Sequence, residues 1–335
     1  MTADSEIKKK VIIFAEKRDG GIHPISFELL GKGREIADKL NAEVSCALLG
    51  YRLSREQALE LIYYGADRVF LYDDPVFKEL NVIQYKHNIV RLVKRERPDI
   101  FLFGATHFGR SLAPRVAAAL ETGLTADCID LQVDENGDLI QIRPAFTGNI
   151  LAHIKTKTKP VMSTVRYKVM QMKDKDLTRK GQIIEEVTEV SNERSPKIIR
   201  RERQAEFNIA EAKIIVSGGR GLGTPEGFKL LKELADLLGG VVGASRTPVD
   251  EGWIGKEHQV GFSGNTVKPK LYIACGISGS PQHLAGMKDS ETIIAINTDP
   301  SAPIHRVADY SIISDIYQVV PEMIKEIKAR RVNRI

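Results

Sequence analysis

The sequence predicts an α/β protein of two domains, each built on a mainly parallel sheet flanked by helices. From Lys10 onward, short apolar runs alternate with amphipathic stretches, which is the pattern of strand and helix units around a parallel sheet. A second series of the same kind begins at Lys213 with KIIVSGG. The length of 335 residues exceeds the usual size of one compact core, which also favours two domains.

The first series predicts the strands and helices of the N-terminal half. The predicted strands cover residues 11–16, 44–49, 68–72 and 100–104, and the predicted helices cover 27–41, 55–63, 82–96 and 110–120. After Cys128 the pattern changes to short β-favouring segments separated by turn signals such as Asn136-Gly137. We expect these segments, 129–133, 139–143, 151–155 and 161–165, to extend the first sheet or to reach a partner.

A charged stretch separates the two series. Between residues 168 and 210 Lys, Glu, Arg and Asp dominate with little apolar periodicity, which is typical of a domain boundary. We therefore predict an N-terminal α/β domain over residues 1–205 that ends in a charged linker, and a second domain over 206–335. After the strand that begins at Lys213, the second domain has predicted strands at 240–244, 270–275, 292–296 and 310–313, with helices at 225–238 and 315–328.

The composition argues against several classes of protein. The longest apolar runs, such as 11–15 and 271–275, are far shorter than the roughly 20 residues that a membrane helix needs. The start, MTADSEIKKK, does not resemble a secretory signal, so we expect a cytoplasmic protein. Cys46, Cys128 and Cys275 form no CxxC pair, which favours isolated buried thiols over zinc or disulfides. The net charge is +5, and the basic residues alternate with acidic ones instead of forming a patch, which does not indicate nucleic-acid binding.

Glycine and small polar residues follow every strand of the second series. The first three loops read SGGRGLG, GASR and GISGSPQH, and Asn297 and Ser314-Asp315 follow the last two strands. Open parallel sheets bind ligands at the carboxyl ends of their strands, where loops present backbone N–H groups. Such loops allow a pyrophosphate to approach closely, so the sequence predicts a dinucleotide site. Residues 219–223 are not a full GxGxxG fingerprint, and the coincidence of five loops therefore carries the prediction.

Two side chains beside these loops would suit a flavin. Arg246 follows a strand end, and a positive charge about 6 Å from a reduced isoalloxazine would stabilise negative charge there by roughly 3 kcal/mol at an effective dielectric near 20. His283 is able to donate a hydrogen bond to a flavin carbonyl. The alternatives are a surface salt bridge for Arg246 and a helix-capping role for His283. His23 and His107 are not assigned a catalytic role.

The second series resembles the FAD-binding domain of electron-transfer flavoprotein alpha subunits nearly end to end. The resemblance is carried by VSGGRGLG, VVGASRTPVDEGWI, HQVGFSGNTVKPKLYIACGISGSPQHLAGMKDS and IIAINTDPSAPIHRVADY, within residues 210–325. The N-terminal half is similar more loosely, through SFELLGKGREIA, LFGATHFGRSLAPRVAAAL and GLTADCIDL. The resemblance implies FAD as the cofactor, a Rossmann-like domain of the sirtuin-like type over 206–335, and a first domain that contacts a beta subunit in a heterodimer.

The resemblance also implies roles for individual residues. Arg246 would lie over the flavin, Ser263 would hydrogen-bond near its N5, and His283 would reach its pyrimidine carbonyl. The serines of the loops would serve the diphosphate and the ribityl chain, while Asn297 and Asp315 would serve the adenosine end. The implied FAD contacts are Arg220, Ser245, Arg246, Val260, Gly261, Phe262, Ser263, Ser278, Gly279, Ser280, Pro281, Gln282, His283, Asn297, Asp315 and Ile316.

One departure from the family pattern concerns the flavin directly. The family usually has Gln-Thr-Gly where this chain has Phe262-Ser263-Gly264. A hydroxyl near N5 is therefore kept, while the preceding amide is replaced by an aromatic ring. The expected consequence is a changed flavin potential with FAD binding retained.

The family resemblance implies electron transfer as the function. Members accept electrons from acyl-CoA or other dehydrogenases and pass them on, commonly to a quinone reductase. Some members instead bifurcate electrons: a second flavin in the beta subunit takes a hydride from NADH and sends one electron to the alpha-subunit FAD and the other to a low-potential acceptor such as ferredoxin. The segments GLTADC and RPAFTGN are more similar to the bifurcating members. A simple carrier and a subunit of a bifurcating redox complex both stay open.

Three other functions are weighed against this one. An NAD-dependent oxidoreductase needs a catalytic His or Lys with an acidic partner, and a sirtuin-like dinucleotide-binding enzyme needs paired zinc cysteines. The sequence contains no Ser-His-Asp set, HExxH pattern or P-loop lysine, so no catalytic residue and no metal ligand is predicted. A plain interaction module would leave the five glycine and serine loops unexplained.

Overall fold

The computed structural model describes residues 9–18, 21–145, 150–193 and 209–332. The chain divides into two compact units, Met1–Ile199 and Arg200–Ile335. The predicted boundary between residues 205 and 206 lies outside the described residues and stays a prediction.

The first unit contains a seven-stranded parallel sheet, a three-stranded antiparallel sheet and a two-stranded hairpin. Its helices are α1 (Ile25–Leu40), α2 (Arg55–Tyr63), α3 (Val82–Glu96) and α4 (His107–Ala119). Its strands are β1 (Lys10–Ala15), β2 (Lys17–Arg18), β3 (Gly21–Ile22), β4 (Glu43–Gly50), β5 (Arg68–Asp73), β6 (Ile100–Gly104), β7 (Leu124–Cys128), β8 (Asp130–Val133), β9 (Leu139–Ala145), β10 (Ile150–Lys155), β11 (Val161–Val165) and β12 (Gln182–Glu185). The large sheet has the order β12-β5-β4-β1-β6-β11-β7.

Both faces of the large sheet are buried. Side chains alternate along a strand, so Val11 and Ile13 of β1 pack into the cluster that contains α1 and α2, while Ile12 and Phe14 pack into the cluster that contains α3 and α4. This arrangement explains the uninterrupted apolar run of β1, because a strand covered on both faces has no polar side. Each such side chain contributes about 1.5–3 kcal/mol through burial.

Of the four short segments predicted after Cys128, the one at 161–165 extends the large sheet, as expected, and forms β11. It pairs with β7, which was not predicted. Strands β8, β9 and β10 form their own antiparallel sheet instead of extending the first one. The buried side chain of Gln141 on β9 connects the two sheets, since its Nε2 donates to the Met162 carbonyl oxygen at 2.7 Å.

The described part of the charged stretch is folded onto the first unit. Strand β12 pairs in parallel with β5. Asn88 of α3 holds the backbone of Glu189 from both sides: its Nδ2 donates to the Glu189 carbonyl oxygen, and its Oδ1 accepts from the Glu189 N–H, each at 2.9 Å. Residues 168–193 are thus part of this unit and not a free linker, because backbone pairing replaces the apolar periodicity that they lack.

The second unit contains one five-stranded parallel sheet, in the order β14-β13-β15-β16-β17. The strands are β13 (Ile214–Gly218), β14 (Val241–Ala244), β15 (Leu271–Cys275), β16 (Ile293–Ile296) and β17 (Tyr310–Ile312). The helices are α5 (Gly227–Leu238), α6 (Arg246–Asp250), α7 (Pro281–Leu284) and α8 (Ile316–Val332). The five strands and the helices α5 and α8 occur where the sequence predicts them, whereas the short helices α6 and α7 were not predicted. The α/β fold class with mainly parallel sheets flanked by helices is confirmed.

The strand order places a crevice in this sheet. From β13 the chain runs to β14 on one side and then crosses to β15 on the other side. The loops that follow β13 and β15 therefore leave in opposite directions, which opens a crevice at the carboxyl ends of these two strands. Helices α5 and α8 cover one face of the sheet through Leu231, Leu234 and Val320.

Two further observations concern membranes and thiols. Within the described residues, no helix is long and apolar enough to cross a membrane. Cys46, Cys128 and Cys275 are free and buried, which confirms the prediction of isolated thiols. Burial raises the pKa of Cys128 to about 11 and that of Cys275 to about 12, so neither is a ready nucleophile at neutral pH.

Candidate functional site

The loops after β13 and β15 touch each other at the crevice. The Gly219 N–H donates to the Cys275 carbonyl oxygen at 2.9 Å, and the Gly221 N–H donates to the Gly276 carbonyl oxygen at 3.0 Å. A Cβ on Gly219 would lie 2.2 Å from the Gly276 oxygen. These glycines thus serve loop-to-loop packing, and the N–H groups of Gly219 and Gly221 are already used within the protein.

The loop after β15 has backbone donors to spare. Among the described residues, the N–H groups of Ser278, Gly279 and Ser280 have no hydrogen-bond acceptor. The loop is nevertheless held in place, because its carbonyl oxygens at Ile277 and Ser278 accept from Asn297 Nδ2 at 2.9 Å and from the Ile304 N–H at 3.0 Å. A fixed run of unpaired N–H groups is a typical cradle for an anionic group such as a diphosphate.

Gly279 is required at the tightest point of this loop. Its φ is +83°, and a Cβ there would lie 2.4 Å from the Ile304 nitrogen. An L side chain is therefore excluded by backbone conformation and by space.

Ser245 and Arg246 lie at the end of β14. The Ser245 N–H donates to the Gly218 carbonyl oxygen at 2.9 Å, which ties this strand end to β13. Its hydroxyl makes no capping bond to α6. The Arg246 side chain is 72% exposed and pairs with Asp250 one turn later at 2.9 Å. The guanidinium is thus presented at the surface beside the strand ends.

Residues 260–263 form a turn that is pinned to the start of α7. The Phe262 N–H donates to the Gln282 carbonyl oxygen at 2.7 Å, and the Gly261 N–H donates to the Asn265 carbonyl oxygen at 3.1 Å. Ser263 Oγ accepts from Gln259 Nε2 at 3.0 Å. The Phe262 side chain is 55% exposed although its backbone is fixed, so the turn displays an apolar ring.

His283 lies beneath this turn and is 4% exposed. Its Nδ1 is 3.1 Å from the Val260 carbonyl oxygen, and its Nε2 is 3.1 Å from the Tyr272 hydroxyl. Desolvation lowers the pKa of His283 to about 4, although the Val260 bond opposes this shift. Both ring nitrogens are therefore occupied within the protein, and the helix-capping alternative does not describe this side chain.

The remaining predicted contacts lie at the ends of β16 and β17. Asn297 bridges two loops, since its Oδ1 accepts from the Asp299 N–H at 3.0 Å while its Nδ2 holds Ile277. Asp315 Oδ1 accepts from the Tyr317 N–H at 2.8 Å at the start of α8. Ile316 is buried, and its Cδ1 would lie 2.8 Å from a Cβ on Gly276. Ile316 therefore packs against the loop that follows β15.

The fold brings the predicted site residues to one edge of one sheet. They occupy the loops at the carboxyl ends of β13 to β17, on the side chosen from the sequence. His23 and His107 belong to the first unit, where His23 is buried beside the Tyr167 ring at 5.3 Å between ring centroids.

Two tyrosines of the site were missed from the sequence. Tyr272 sits inside an apolar strand and carries no motif, so only its contact with His283 reveals it. Tyr317 donates from its hydroxyl to the Leu222 carbonyl oxygen at 2.6 Å and ties the loop after β13 to α8. In the sequence, the one indication that Tyr317 belongs to the site was its position two residues after Asp315.

Two protein-family models match the chain in this order. The electron transfer flavoprotein domain matches residues 11–190. The electron transfer flavoprotein FAD-binding domain matches residues 208–288, which include the loops after β13, β14 and β15.

Curated proteins match along nearly the whole chain. An electron transfer flavoprotein subunit alpha from Thermoanaerobacterium thermosaccharolyticum is 50% identical over 324 residues, which covers 96% of this chain and 98% of that protein. One from Clostridium acetobutylicum is 46% identical, with coverages of 96% and 97%. The LctC subunit of the lactate dehydrogenase (NAD(+),ferredoxin) of Acetobacterium woodii is 41% identical and covers 99% of this chain and 80% of that protein.

Proposed function

This chain belongs to the family of electron transfer flavoprotein alpha subunits, and we propose that it pairs with a beta subunit to carry electrons from dehydrogenases to a downstream acceptor. Its second unit carries the FAD-binding domain of the family. The proposal is carried by the match of that domain to residues 208–288. These residues include the loop after β15, whose N–H groups at 278–280 have no acceptor among the described residues.

The residues of the crevice fit an FAD molecule. The unpaired N–H groups of Ser278, Gly279 and Ser280 would bind the diphosphate, with the Ser245 and Ser280 hydroxyls as further donors. Arg220 would add positive charge from the loop after β13. The sixteen residues predicted from the sequence are retained as the proposed contacts.

The flavin ring belongs, in this proposal, at the turn 260–263. Bound FAD would supply the group that accepts and releases electrons. Arg246 would neutralise negative charge on it, Ser263 would hydrogen-bond near N5, and Phe262 would cover part of it with an apolar ring. Since both nitrogens of His283 are occupied, a direct bond to the flavin requires that Nδ1 exchanges the Val260 carbonyl oxygen for a flavin carbonyl.

The adenosine end of FAD would lie at the carboxyl ends of β16 and β17. Asn297 and Asp315 already hold loop backbone there, so their oxygens are oriented before any ligand binds. The proposed Rossmann-like domain of the sirtuin-like type, the contact of the first unit with the beta subunit, and a cytoplasmic location are further parts of this proposal.

A bifurcating complex is the second candidate. The LctC relative belongs to an enzyme whose name combines NAD(+) with ferredoxin. The GLTADC segment ends in β7, where Asp127 has a φ of +59° and donates its N–H to Thr164 Oγ1 at 2.9 Å. RPAFTGN lies partly outside the described residues. A quinone reductase would be the acceptor for a simple carrier, and ferredoxin would be an acceptor for a bifurcating complex.

Flavin counting separates these possibilities. We would co-express the chain with its beta subunit, record the visible spectrum, and titrate the complex anaerobically with dithionite and then with NADH. One FAD per heterodimer that NADH does not reduce is expected for a simple carrier. Two FAD molecules with direct reduction by NADH are expected for a bifurcating complex, and a flavin-free complex would refute the proposal.

A further inference from the structure

A buried polar chain runs from the centre of the second sheet to the turn 260–263. Tyr272 of β15 and His283 of α7 are both buried, with exposures of 0% and 4%. The Tyr272 hydroxyl is 3.1 Å from His283 Nε2, and His283 Nδ1 is 3.1 Å from the Val260 carbonyl oxygen. Three segments that are distant in sequence are thus joined by two hydrogen bonds.

The direction of these two bonds follows from the chemistry of the partners. A neutral imidazole has one N–H and one bare nitrogen. The Val260 carbonyl oxygen can only accept, so Nδ1 must carry the hydrogen. Nε2 is then the bare nitrogen, and it accepts from the Tyr272 hydroxyl. Burial supports the neutral form, because desolvation lowers the pKa of His283 to about 4.

We propose that Tyr272 is a positioning residue for FAD: its hydroxyl holds the imidazole of His283 through Nε2 and so keeps Nδ1 directed at the turn that carries Val260. This inference rests on the proposed function in one respect only, that the ligand at the turn is FAD. The hydroxyl acts through His283 and touches neither the turn nor the ligand itself.

The turn depends on this support for its position. Val260 is tied on one side by its N–H to the Ala244 carbonyl oxygen at 2.9 Å and on the other by its carbonyl oxygen to His283. The next residue, Gly261, has a φ of +148°, so the chain changes direction where the His283 bond ends. A shift of His283 would therefore displace the backbone of the turn that supports Phe262 and Ser263.

The hydrogen-bonded chain from Tyr272 to Val260 also determines which ring nitrogen of His283 carries the hydrogen that a ligand could accept. Because the Val260 carbonyl oxygen can only accept, the one hydrogen that the neutral His283 ring offers is the one on Nδ1. In the other tautomer Nδ1 and the Val260 oxygen would both be acceptors facing each other at 3.1 Å, which is repulsive. Val260 thus selects the tautomer, and the Tyr272 hydroxyl holds the ring in the matching orientation.

The test is Tyr272→Phe in the complex with the beta subunit. Loss of one buried hydrogen bond corresponds to a roughly three- to tenfold weaker binding of FAD, measured by fluorescence titration of the deflavinated complex. The second readout is the ¹⁵N NMR spectrum of His283, where a bare and a protonated ring nitrogen have separate resonances. We expect a bare Nε2 in both proteins, with its resonance shifted in the variant because the hydroxyl that donates to it is gone.

Two controls isolate the route through His283. Tyr310→Phe removes a hydroxyl from an exposed tyrosine of the same sheet and should leave FAD binding unchanged. In a His283→Leu background, Tyr272→Phe should have no further effect on FAD affinity, because residues that act through one another are non-additive.

Several results would overturn the inference. A protonated Nε2 in the wild type, or an unchanged Nε2 resonance together with unchanged FAD affinity in Tyr272→Phe, would each contradict it. An equal loss of affinity in both His283 backgrounds would show a role in general stability only. If the wild-type complex bound no FAD, the proposed function would fail, while the ¹⁵N spectrum would still report on the Tyr272 and His283 pair.

Discussion

Replacing Arg246 by alanine separates a flavin role from a surface role. Among the residues that the structure describes, Arg246 pairs with Asp250 at 2.9 Å, and the two side chains are 72% and 58% exposed. An exposed pair one helical turn apart contributes about 0.3–0.5 kcal/mol to folding stability. Arg246→Ala should therefore leave the melting temperature nearly unchanged.

The effect on a flavin would be much larger. A charge about 6 Å from the isoalloxazine stabilises negative charge on it by roughly 3 kcal/mol at an effective dielectric near 20. For one electron this corresponds to on the order of 0.1 V. We expect Arg246→Ala to lower the reduction potential of bound FAD by this order, because the substitution removes a positive charge that would stabilise the reduced flavin.

The assay is a spectroelectrochemical titration of the FAD-loaded complex, with thermal melting of the same samples. Asp250→Asn is the matched control, since it removes the negative partner and leaves the guanidinium in place; it should shift the potential in the opposite direction. A wild-type potential and wild-type FAD affinity in Arg246→Ala would refute the placement of Arg246 over the flavin.

Two further predictions concern the crevice and the pH dependence of stability. Gly276→Ala should destabilise the second unit by more than about 2 kcal/mol and weaken FAD binding, because its φ is +63° and a Cβ would lie 2.9 Å from Gly221. Gly239→Ala is its control in urea denaturation, since Gly239 has a φ of +68° with nothing within 4 Å of a Cβ; equal losses would contradict the packing argument. The depressed pKa of His283 contributes stability that is present above its unfolded value of 6.5 and is lost as pH falls towards about 4. Unfolding free energies between pH 7 and 4 should therefore fall more steeply for the wild type than for His283→Gln, by on the order of 3 kcal/mol, and parallel curves would contradict it.

Much of the fold and of the site's location could be predicted from the sequence. Strands such as β1 and β15 are buried on both faces, and that environment leaves a continuous apolar run in the sequence. The loops at the carboxyl ends of the second sheet were predictable because parallel strands place all such ends at one edge. Strand β12 and the Asn88 contacts within residues 168–193 could not be predicted from the sequence, because they depend on backbone pairing, which leaves no periodic pattern of side chains.

The individual contacts of the site could not be predicted in this way. All the glycine and serine loops were expected to admit a pyrophosphate, and the sequence did not distinguish between them; the structure uses the N–H groups of Gly219 and Gly221 to join two loops. The spare donors lie instead at Ser278, Gly279 and Ser280. Which N–H group stays unpaired depends on the partner that the fold brings near it, and that partner belongs to another segment of the chain.

The sequence by itself determined the α/β class, the family resemblance and the edge of the sheet where FAD is proposed to bind, because these follow from local periodicity and from residues that are neighbours along the chain. Only the tertiary structure decided the state of His283. Its tautomer and its low pKa depend on Tyr272, on Val260 and on burial. Hydrogen bonding and desolvation act over a few ångströms in space, and contacts between segments distant in sequence leave no pattern along it.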